Sequence, residues 1–210
     1  METNIEPAPK LRVLTVCGSL QERSANRAAL EAASAFAAAN GATIDAFDRL
    51  AEIPAFNPDP RDAPIDVIDD WRRRVTAADV VLVAAPEYAG AVAGALKNAL
   101  DWLVGSGELY RKPVAVLSAG TSGGLHARRM MVQTLTWQGA YAVAELGIAA
   151  PRTKSDESGR LKDQATLAAI ASLTEVLLGA PAMAADELVA VAARVVDSLG
   201  IDVAHVAPAG

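Results

Sequence analysis

The chain has few of the residues that build disulfides, metal centres and nucleic-acid surfaces. Its single cysteine, Cys17, excludes an intrachain disulfide and a cysteine-based metal site. Because Cys17 ends an apolar strand pattern, we expect it to be a small buried side chain. Aromatic residues make up only 4% of the chain, so alanine, valine, leucine and isoleucine must form its core. The formal net charge of -6 argues against nucleic acid as the main partner, which would require a basic face.

The start of the sequence has no apolar stretch of the signal-peptide type. Residues 1–10 are polar and contain proline, and we expect them to form a loose tail. The most apolar late region, 165–199, is interrupted by Glu175, Asp186, Glu187 and Arg194. Its uncharged runs are shorter than the roughly 20 residues that a membrane helix needs. We therefore expect a soluble cytoplasmic protein with no membrane partner.

Apolar strand patterns alternate with helical patterns along most of the chain. The segment 80–85 is apolar on both faces, which is typical of a central parallel strand covered by helices on both sides. The alternation predicts an α/β three-layer sandwich, and five strands favour the flavodoxin-like order 2-1-3-4-5. We expect this domain over residues 11–180, and a C-terminal helical extension and tail over 181–210. The predicted strands are 11–17, 43–47, 80–85, 113–117 and 141–146, and the predicted helices are 24–40, 66–77, 93–104, 126–137, 162–178 and 184–199.

Three loops each follow a predicted strand and lead into a predicted helix. Loop 1 (Gly18–Asn26) is rich in hydroxyl groups, loop 2 (Pro86–Gly90) carries a tyrosine, and loop 3 (Ser118–Gly124) is rich in glycine. In an open parallel sheet such loops gather at the carboxyl ends of the strands, where ligands bind. The sequence therefore predicts one ligand site built from all three loops.

Loop 1 suits an anion such as a phosphate monoester. Ser19, Ser24 and Asn26 carry hydroxyl and amide donors at the start of a helix, where free N–H groups and the helix dipole attract negative charge. The alternative is that Ser24 or Asn26 is only a helix N-cap. The loop is neither a P-loop nor a dinucleotide fingerprint, because it lacks Gly-Lys-Ser/Thr and the glycine triplet.

Loops 2 and 3 suit a flat ligand. Tyr88 can stack on an aromatic ring system while the backbone N–H groups of 87–90 bind its polar edge; the alternative is an ordinary turn with a half-buried tyrosine. The glycines of loop 3 let a ligand approach the backbone. The proline-rich segment 53–60 is too long for a simple turn, and long loops in compact domains are usually functional.

These motifs together resemble the NADPH-dependent FMN reductases, which include quinone, azo and chromate reductases of flavodoxin-like fold. The resemblance rests on Gly18-Ser19-Leu20 with Ser24 and Asn26, and on Pro86-Glu87-Tyr88 with Gly94, Leu96-Lys97-Asn98 and Asp101-Trp102. Ile53-Pro54, Phe56-Asn57, Gly123-Gly124 and Gly159-Arg160-Leu161 support it. It covers roughly residues 11–178 and implies an enzyme that passes electrons from NADPH or NADH through bound FMN to a quinone-like or other small acceptor. The flavin carries the chemistry, so no catalytic side chain is expected.

The resemblance implies that Ser19, Ser24 and Asn26 hold the FMN phosphate, that Pro86, Glu87 and Tyr88 line the isoalloxazine, and that loop 3 closes over its other side. The residues expected to bind the cofactor are Ser19, Gln21, Ser24, Asn26, Pro86, Glu87, Tyr88, Ala89, Gly90, Ser118, Gly120 and Gly123. The resemblance also implies a homodimer or homotetramer.

Five positions depart from the family pattern: Gln21 and His126 stand where arginine is usual, Ala89 stands where asparagine is common, and Ala91 and Ala93 stand where serine and proline are typical. Each change removes a polar or rigidifying group, so the alternative function is a flavodoxin-fold binding module with weakened or lost FMN binding. A pure electron carrier is a third hypothesis. His126 either contacts the dinucleotide or substrate, or is a solvated residue at a helix start.

Overall fold

The computed structural model describes residues 10–59 and 63–202. Five parallel strands form one sheet in the order β2-β1-β3-β6-β7. Because β4 and β5 lie outside this sheet, β6 and β7 are its fourth and fifth strands, and the predicted flavodoxin-like order 2-1-3-4-5 is confirmed. The five strands are β1 (Arg12–Cys17), β2 (Thr43–Phe47), β3 (Val80–Ala84), β6 (Pro113–Gly120) and β7 (Tyr141–Ala149). A separate antiparallel hairpin, not predicted, consists of β4 (Glu87–Tyr88) and β5 (Ala91–Val92).

Helices cover both faces of the sheet and bury two hydrophobic clusters. They are α1 (Ala25–Ala39), α2 (Asp66–Ala77), α3 (Gly94–Asp101), α4 (Leu125–Trp137), α5 (Gln164–Gly179) and α6 (Ala185–Ser198). Trp71 anchors one cluster, where its ring centroid lies 4.8 Å from that of Phe47 and its Nε1–H donates to the Ala99 carbonyl at 2.9 Å. The other cluster uses alanines of α1, such as Ala29 and Ala33, which let the helix pack closely on the sheet.

The carboxyl-terminal ends of two strands differ from the prediction. The strand β6 extends to Gly120 rather than to Leu117, and β7 extends to Ala149 rather than to Leu146. Ser118 pairs with Gly147 and Gly120 pairs with Ala149 across the two strands. The first three residues of the predicted loop 3 are therefore strand, because ladder hydrogen bonds hold small residues whose own preference is for turns. The free part of loop 3 begins at Thr121.

The predicted C-terminal helix is present as α6, and it packs against β7, the edge strand of the sheet. Its Leu188 belongs to one hydrophobic cluster and its Val196 to the other, so the helix closes both sides of the sheet at this edge. The Arg129 guanidinium of α4 donates to the Gly200 carbonyl at 2.7 Å, just beyond the end of α6. This helix therefore covers an edge strand that could pair with another chain if it were exposed.

One helical span, Gln164–Ala182, is long and apolar enough to cross a membrane by length and composition. It contains α5, which packs against α1 and β7, and Ile170 and Leu177 lie in the hydrophobic cluster on that face of the sheet. The span therefore packs on the sheet as a core helix of this domain. The predicted N-terminal tail, apart from Lys10, and the end of the predicted C-terminal tail lie outside the described residues.

Candidate functional site

The three loops follow neighbouring strands at the carboxyl edge of the sheet. The Gly18 N–H donates to the Ala84 carbonyl at 2.7 Å, and the Ala85 N–H donates to the Leu117 carbonyl at 3.1 Å. The strands β1 and β3 therefore end side by side, whereas β6 continues three residues further, to Gly120, before loop 3 becomes free. The predicted site residues on the three loops are brought together as expected from a parallel sheet.

Loop 1 presents unused hydrogen-bond donors at the start of α1. Ser24 is the N-cap, and its Oγ accepts from the Asn26 N–H at 3.2 Å; the Ser19 Oγ accepts from the Gln21 N–H at 3.3 Å. Both hydroxyls act as acceptors, so each keeps an O–H that donates to no group in the described part of the chain. Ser24 therefore performs the N-cap role and still has a donor for an anion. The Gln21 side chain is exposed beside them.

Asn26 joins loop 1 to β6. Its Nδ2 donates to the Ala119 carbonyl at 3.0 Å, and its Oδ1 accepts from the Ala119 N–H at 2.8 Å. The side chain is 3% exposed. The sequence predicted this amide as a phosphate ligand, but one Nδ2 hydrogen and the Oδ1 atom are already engaged with the backbone. Asn26 fixes the start of α1 against the strand that leads into loop 3.

Loop 2 folds as the tip of the hairpin. Ala89 has φ 51° and Gly90 has φ 75°, as expected for a two-residue type I′ turn between β4 and β5. Only glycine, asparagine and aspartate adopt this left-handed region easily, so Ala89 holds a strained conformation. The turn itself explains why asparagine suits this position. Tyr88 is 57% exposed, which leaves its ring available at the edge of the site.

Glu87 joins loop 2 to the helix that follows loop 3. Its Oε2 accepts from the His126 N–H at 2.8 Å and from the Ala127 N–H at 3.2 Å. These are the amides that an N-cap side chain normally satisfies, and the N-cap of α4 is Gly124, which has no side chain. Glu87 supplies the missing acceptor from another loop. The sequence signal for this contact is limited to a glycine at a helix start, because Glu87 lies 39 residues away along the chain.

Loop 3 packs against the interior of the protein. Ser118, predicted to line the ligand, is fully buried, and its Oγ lies under Gly124: a Cβ on Gly124 would meet it at 2.0 Å. The Ser118 hydroxyl therefore faces the interior between β6 and Gly124, and its expected role in cofactor binding stays a prediction. Its Oγ has no hydrogen-bond partner in the described residues. Gly120 and Gly123 form the turn instead, with the Gly123 N–H donating to the Gly120 carbonyl at 3.2 Å.

An ion pair that the sequence did not predict lies behind this turn. The Arg128 Nε donates to the Gly123 carbonyl at 3.0 Å, and its Nη1 donates to the Glu145 carboxylate. The two side chains are 12% and 20% exposed. Burial lowers the pKa of Arg128, while the nearby Glu87 carboxylate acts in the opposite direction. The residues are 17 positions apart on different elements, and no sequence spacing relates them.

The proline-rich segment packs along α3. The Asn98 side chain donates to the Pro54 carbonyl at 2.9 Å and accepts from the Phe56 N–H at 2.8 Å. The Trp102 Nε1–H donates to the same Pro54 carbonyl at 2.9 Å, and the Trp102 and Phe56 rings form an edge-to-face pair at 5.2 Å. Two separate motifs of the sequence are thus one packing unit. Lys97 forms its expected ion pair with Asp101 on α3, with Nζ and Oδ1 2.6 Å apart.

The remaining titratable candidates differ in exposure. Cys17 is buried, as predicted, and burial raises the pKa of its thiol, so it is a weak nucleophile. His126 is exposed on the first turn of α4, beside Glu87. Both alternatives for the His126 side chain, ligand contact and solvation, are compatible with this position.

Comparisons with known proteins agree with this architecture. A sequence model described as NADPH-dependent FMN reductase matches residues 11–154. The NAD(P)H-dependent FMN reductase of Pseudomonas aeruginosa is 34% identical over 160 residues, which cover 73% of this chain and 85% of that protein. The quinone reductase of Escherichia coli K12 is 29% identical over 167 residues, which cover 75% of this chain and 88% of that protein.

The fold is also that of solved flavoenzymes. FerB from Paracoccus denitrificans, described as a flavoenzyme NAD(P)H:(acceptor) oxidoreductase, superposes with a TM-score of 0.67 over 80% of this chain and 95% of that one, at 23% identity. An apo NADH:FMN oxidoreductase superposes with a TM-score of 0.61 over 80% of this chain and 89% of that one, at 15% identity. These two likenesses concern the fold, whereas the sequence matches define the relationship. The chain belongs to the NADPH-dependent FMN reductase family.

Proposed function

We propose that this protein is an FMN-dependent oxidoreductase that takes electrons from NADPH or NADH and passes them to a quinone-like or other small acceptor. The observation that carries the proposal is the cluster of unused donors in loop 1, which lies at the same sheet edge as the exposed Tyr88 and the glycine turn of loop 3. Membership of the family and the names of the relatives support the same reaction class.

The residues of loop 1 fit a terminal phosphate. The Ser19 and Ser24 hydroxyls each keep a free O–H, and the backbone N–H groups of Ala25 and Arg27 have no partner in the described residues. A dianion here would also interact with the positive end of the α1 dipole, worth about 0.3–1 kcal/mol and up to about 2 kcal/mol when partly buried. We assign direct phosphate contact to Ser19 and Ser24, and to the free amides beside them.

The ring system of FMN would lie between the hairpin and loop 3. Bound FMN supplies the hydride-accepting and electron-donating chemistry. The protein would orient it, with the backbone of Tyr88, Ala89 and Gly90 on one side of the ring and the turn from Gly120 to Gly123 on the other. Tyr88, with its exposed ring, would stack on the flavin or on a flat substrate and exclude water there. Pro86 is buried and sets the direction in which loop 2 leaves β3.

Three of the expected binding residues would act by holding the loops. Asn26 connects loop 1 to β6, Glu87 connects loop 2 to α4, and Ser118 lies under Gly124. A flavin needs its phosphate and its ring bound at a fixed separation. The two cross-loop contacts fix that separation before any ligand arrives, which reduces the entropic cost of binding.

The proposal is tested by spectroscopy and turnover. The purified protein should bind FMN with micromolar or tighter affinity, measured by the quenching of flavin fluorescence during titration. The FMN complex should then oxidise NADPH or NADH faster when a soluble quinone is added. Failure to bind FMN at micromolar concentration would contradict the proposal at its first step. Rapid oxidation of NADPH by the FMN complex would exclude the pure electron-carrier hypothesis.

A binding module with weakened FMN affinity is the second candidate, and two observations favour it. Gln21 stands where the family usually has arginine, and Gln21 and Arg23 are both exposed on loop 1. The hairpin also contains the strained Ala89 at its tip. This candidate predicts FMN binding weaker than micromolar in the wild-type protein, with a large gain when arginine replaces Gln21.

We also propose a cytoplasmic homodimer or homotetramer. Because α6 covers the edge strand β7, copies of the chain would associate through helical faces. Multi-angle light scattering of the FMN complex measures the mass directly. A monomeric mass at micromolar concentration would contradict this part of the proposal without affecting the proposed reaction.

A further inference from the structure

We propose that Arg128, paired with Glu145, is a positioning residue that holds the loop 3 turn in the shape required to bind the flavin ring. The inference rests on the proposed function and concerns a residue pair outside the expected set of binding residues. Arg128 acts through the Gly123 carbonyl and touches no part of the ligand in this proposal.

The geometry gives Arg128 two simultaneous contacts. Its Nε donates to the Gly123 carbonyl at 3.0 Å while its Nη1 donates to the Glu145 carboxylate on β7. A guanidinium presents its donors in a rigid planar fork, so binding one partner fixes the direction of the other bond. With only 12% of Arg128 and 20% of Glu145 exposed, solvent competes little for either contact.

The space around the pair is closely fitted. A Cβ on Gly147 would lie 2.7 Å from the Gly123 carbonyl oxygen and 2.9 Å from the Arg128 Nη2. Only glycine at 147 therefore allows the turn and the guanidinium to rest on β7 together. Gly123 itself has φ 80°, a conformation that other residues rarely adopt. The turn, the arginine and β7 form one unit in which Arg128 is the connecting side chain.

The positive charge of Arg128 interacts with two carboxylates at this end of the site. Glu145 is its direct partner, and Glu87 lies close enough to act on it electrostatically. Glu87 in turn holds the first turn of α4 to the hairpin. Removing the positive charge would leave Glu145 partly buried without a partner, and partly buried unpaired charges are unfavourable. Loop 3 would then lose its fixed position relative to loop 2.

The test compares FMN binding in matched variants. We expect Arg128→Gln to weaken FMN binding about tenfold or more, comparable with the loss of one charge-assisted hydrogen bond. The visible circular dichroism of the bound flavin should fall, because this signal reports how firmly the ring is held. Arg128→Lys should rescue binding only in part, since one ammonium group cannot reproduce the planar fork. Glu145→Gln should weaken binding in the same direction, and the double variant should be no worse than Arg128→Gln alone.

The control is Arg74→Gln on α2. Arg74 is also a partly buried, paired arginine, 24% exposed, but it contacts Asp45 and Asp70 and none of the three loops. It should lose stability and keep the wild-type affinity for FMN. Unchanged affinity and circular dichroism in Arg128→Gln, or an equal loss in Arg74→Gln, would overturn the inference. If Arg128→Gln does not fold, Arg128→Lys and Glu145→Gln decide the question in the same way. If wild-type protein does not bind FMN, the proposed function fails before these variants are compared.

Discussion

The strained turn of the hairpin gives a prediction whose sign is unusual. Replacing Ala89 with glycine should stabilise the protein, although Ala→Gly substitutions normally destabilise. Ala89 has φ 51°, and an L-residue in the left-handed region costs roughly 1–2 kcal/mol. Glycine removes that cost but gives the unfolded chain extra entropy, worth about 0.4–1 kcal/mol. The expected net gain is about 0.5–1 kcal/mol.

The assay is urea unfolding, with thermal unfolding as a second measurement. A gain of about 1 kcal/mol corresponds to a rise in Tm of about 2–4 °C for a chain of this size. Ala35→Gly is the matched control, because Ala35 is exposed in the middle of α1. The same atoms are removed there, and the loss of helix propensity should cost about 1 kcal/mol. If both glycine variants are destabilised to the same extent, the argument from backbone strain is wrong.

A third variant, Ala89→Asn, separates two roles of this position. Asparagine tolerates the left-handed conformation and adds a side-chain amide near the proposed flavin site. If Asn and Gly improve FMN affinity equally, the benefit comes from the turn. If only Asn improves it, the amide contacts the flavin or orders the loop around it. Fluorescence titration of FMN against the three proteins distinguishes these outcomes.

Three further predictions concern other positions. If the binding-module candidate is correct, Gln21→Arg should tighten FMN binding about 10- to 150-fold through a charge-assisted bond worth roughly 1.5–3 kcal/mol, while Gln21→Met, measured in the same FMN titration, should give no gain. Asn26→Ala should lower the free energy of unfolding by about 2 kcal/mol in urea titration, because it breaks both bonds to Ala119; a loss below about 0.5 kcal/mol would contradict that role. Hydrogen bonds from the Thr166 hydroxyl and backbone N–H lower the pKa of Asp163 in the folded protein. The stabilisation that these bonds provide is therefore present above the unfolded-state pKa of about 4, and it is lost as the pH falls through the folded-state pKa. Asp163→Asn keeps an N-cap side chain on α5 but removes the titrating group. Between pH 5 and pH 3, the urea midpoint of this variant should fall less than that of the wild-type protein. If the two midpoints fall in parallel, Asp163 does not contribute to the pH dependence of stability.

The strand order could be predicted because apolar runs such as 80–84 identify the strands and because parallel sheets allow few topologies. The hairpin could not, since its strands have only two residues each and Ala89-Gly90 lacks the usual Asn-Gly or Asp-Gly signature. Ser118 was expected in loop 3 but lies in β6, where it pairs with Gly147 of β7. Strand pairing there outweighs the local preference of serine and glycine for turns.

The structure places the expected site residues on loops at one edge of the sheet, and it shows contacts of their side chains that the sequence did not predict. Polar residues at the carboxyl edge identify where a ligand would bind, but the same hydroxyl, amide or carboxylate can serve a ligand or a neighbouring backbone. Asn26 and Glu87 both turned out to bind the backbone of another loop. Their partners lie 93 and 39 residues away, and only the folded structure brings such groups together.

The position of α6 has a consequence for synthesis on the ribosome. The helix is made after all five strands of the sheet, yet Leu188 completes one hydrophobic cluster and Val196 the other. A nascent chain that has reached Gly179 therefore holds a sheet with an open edge and two incompletely covered faces. Such intermediates are prone to aggregation, and the exposed strand is β7, whose far end supports loop 3. Protection of the edge strand that supports loop 3 thus depends on a helix that is made after the whole sheet.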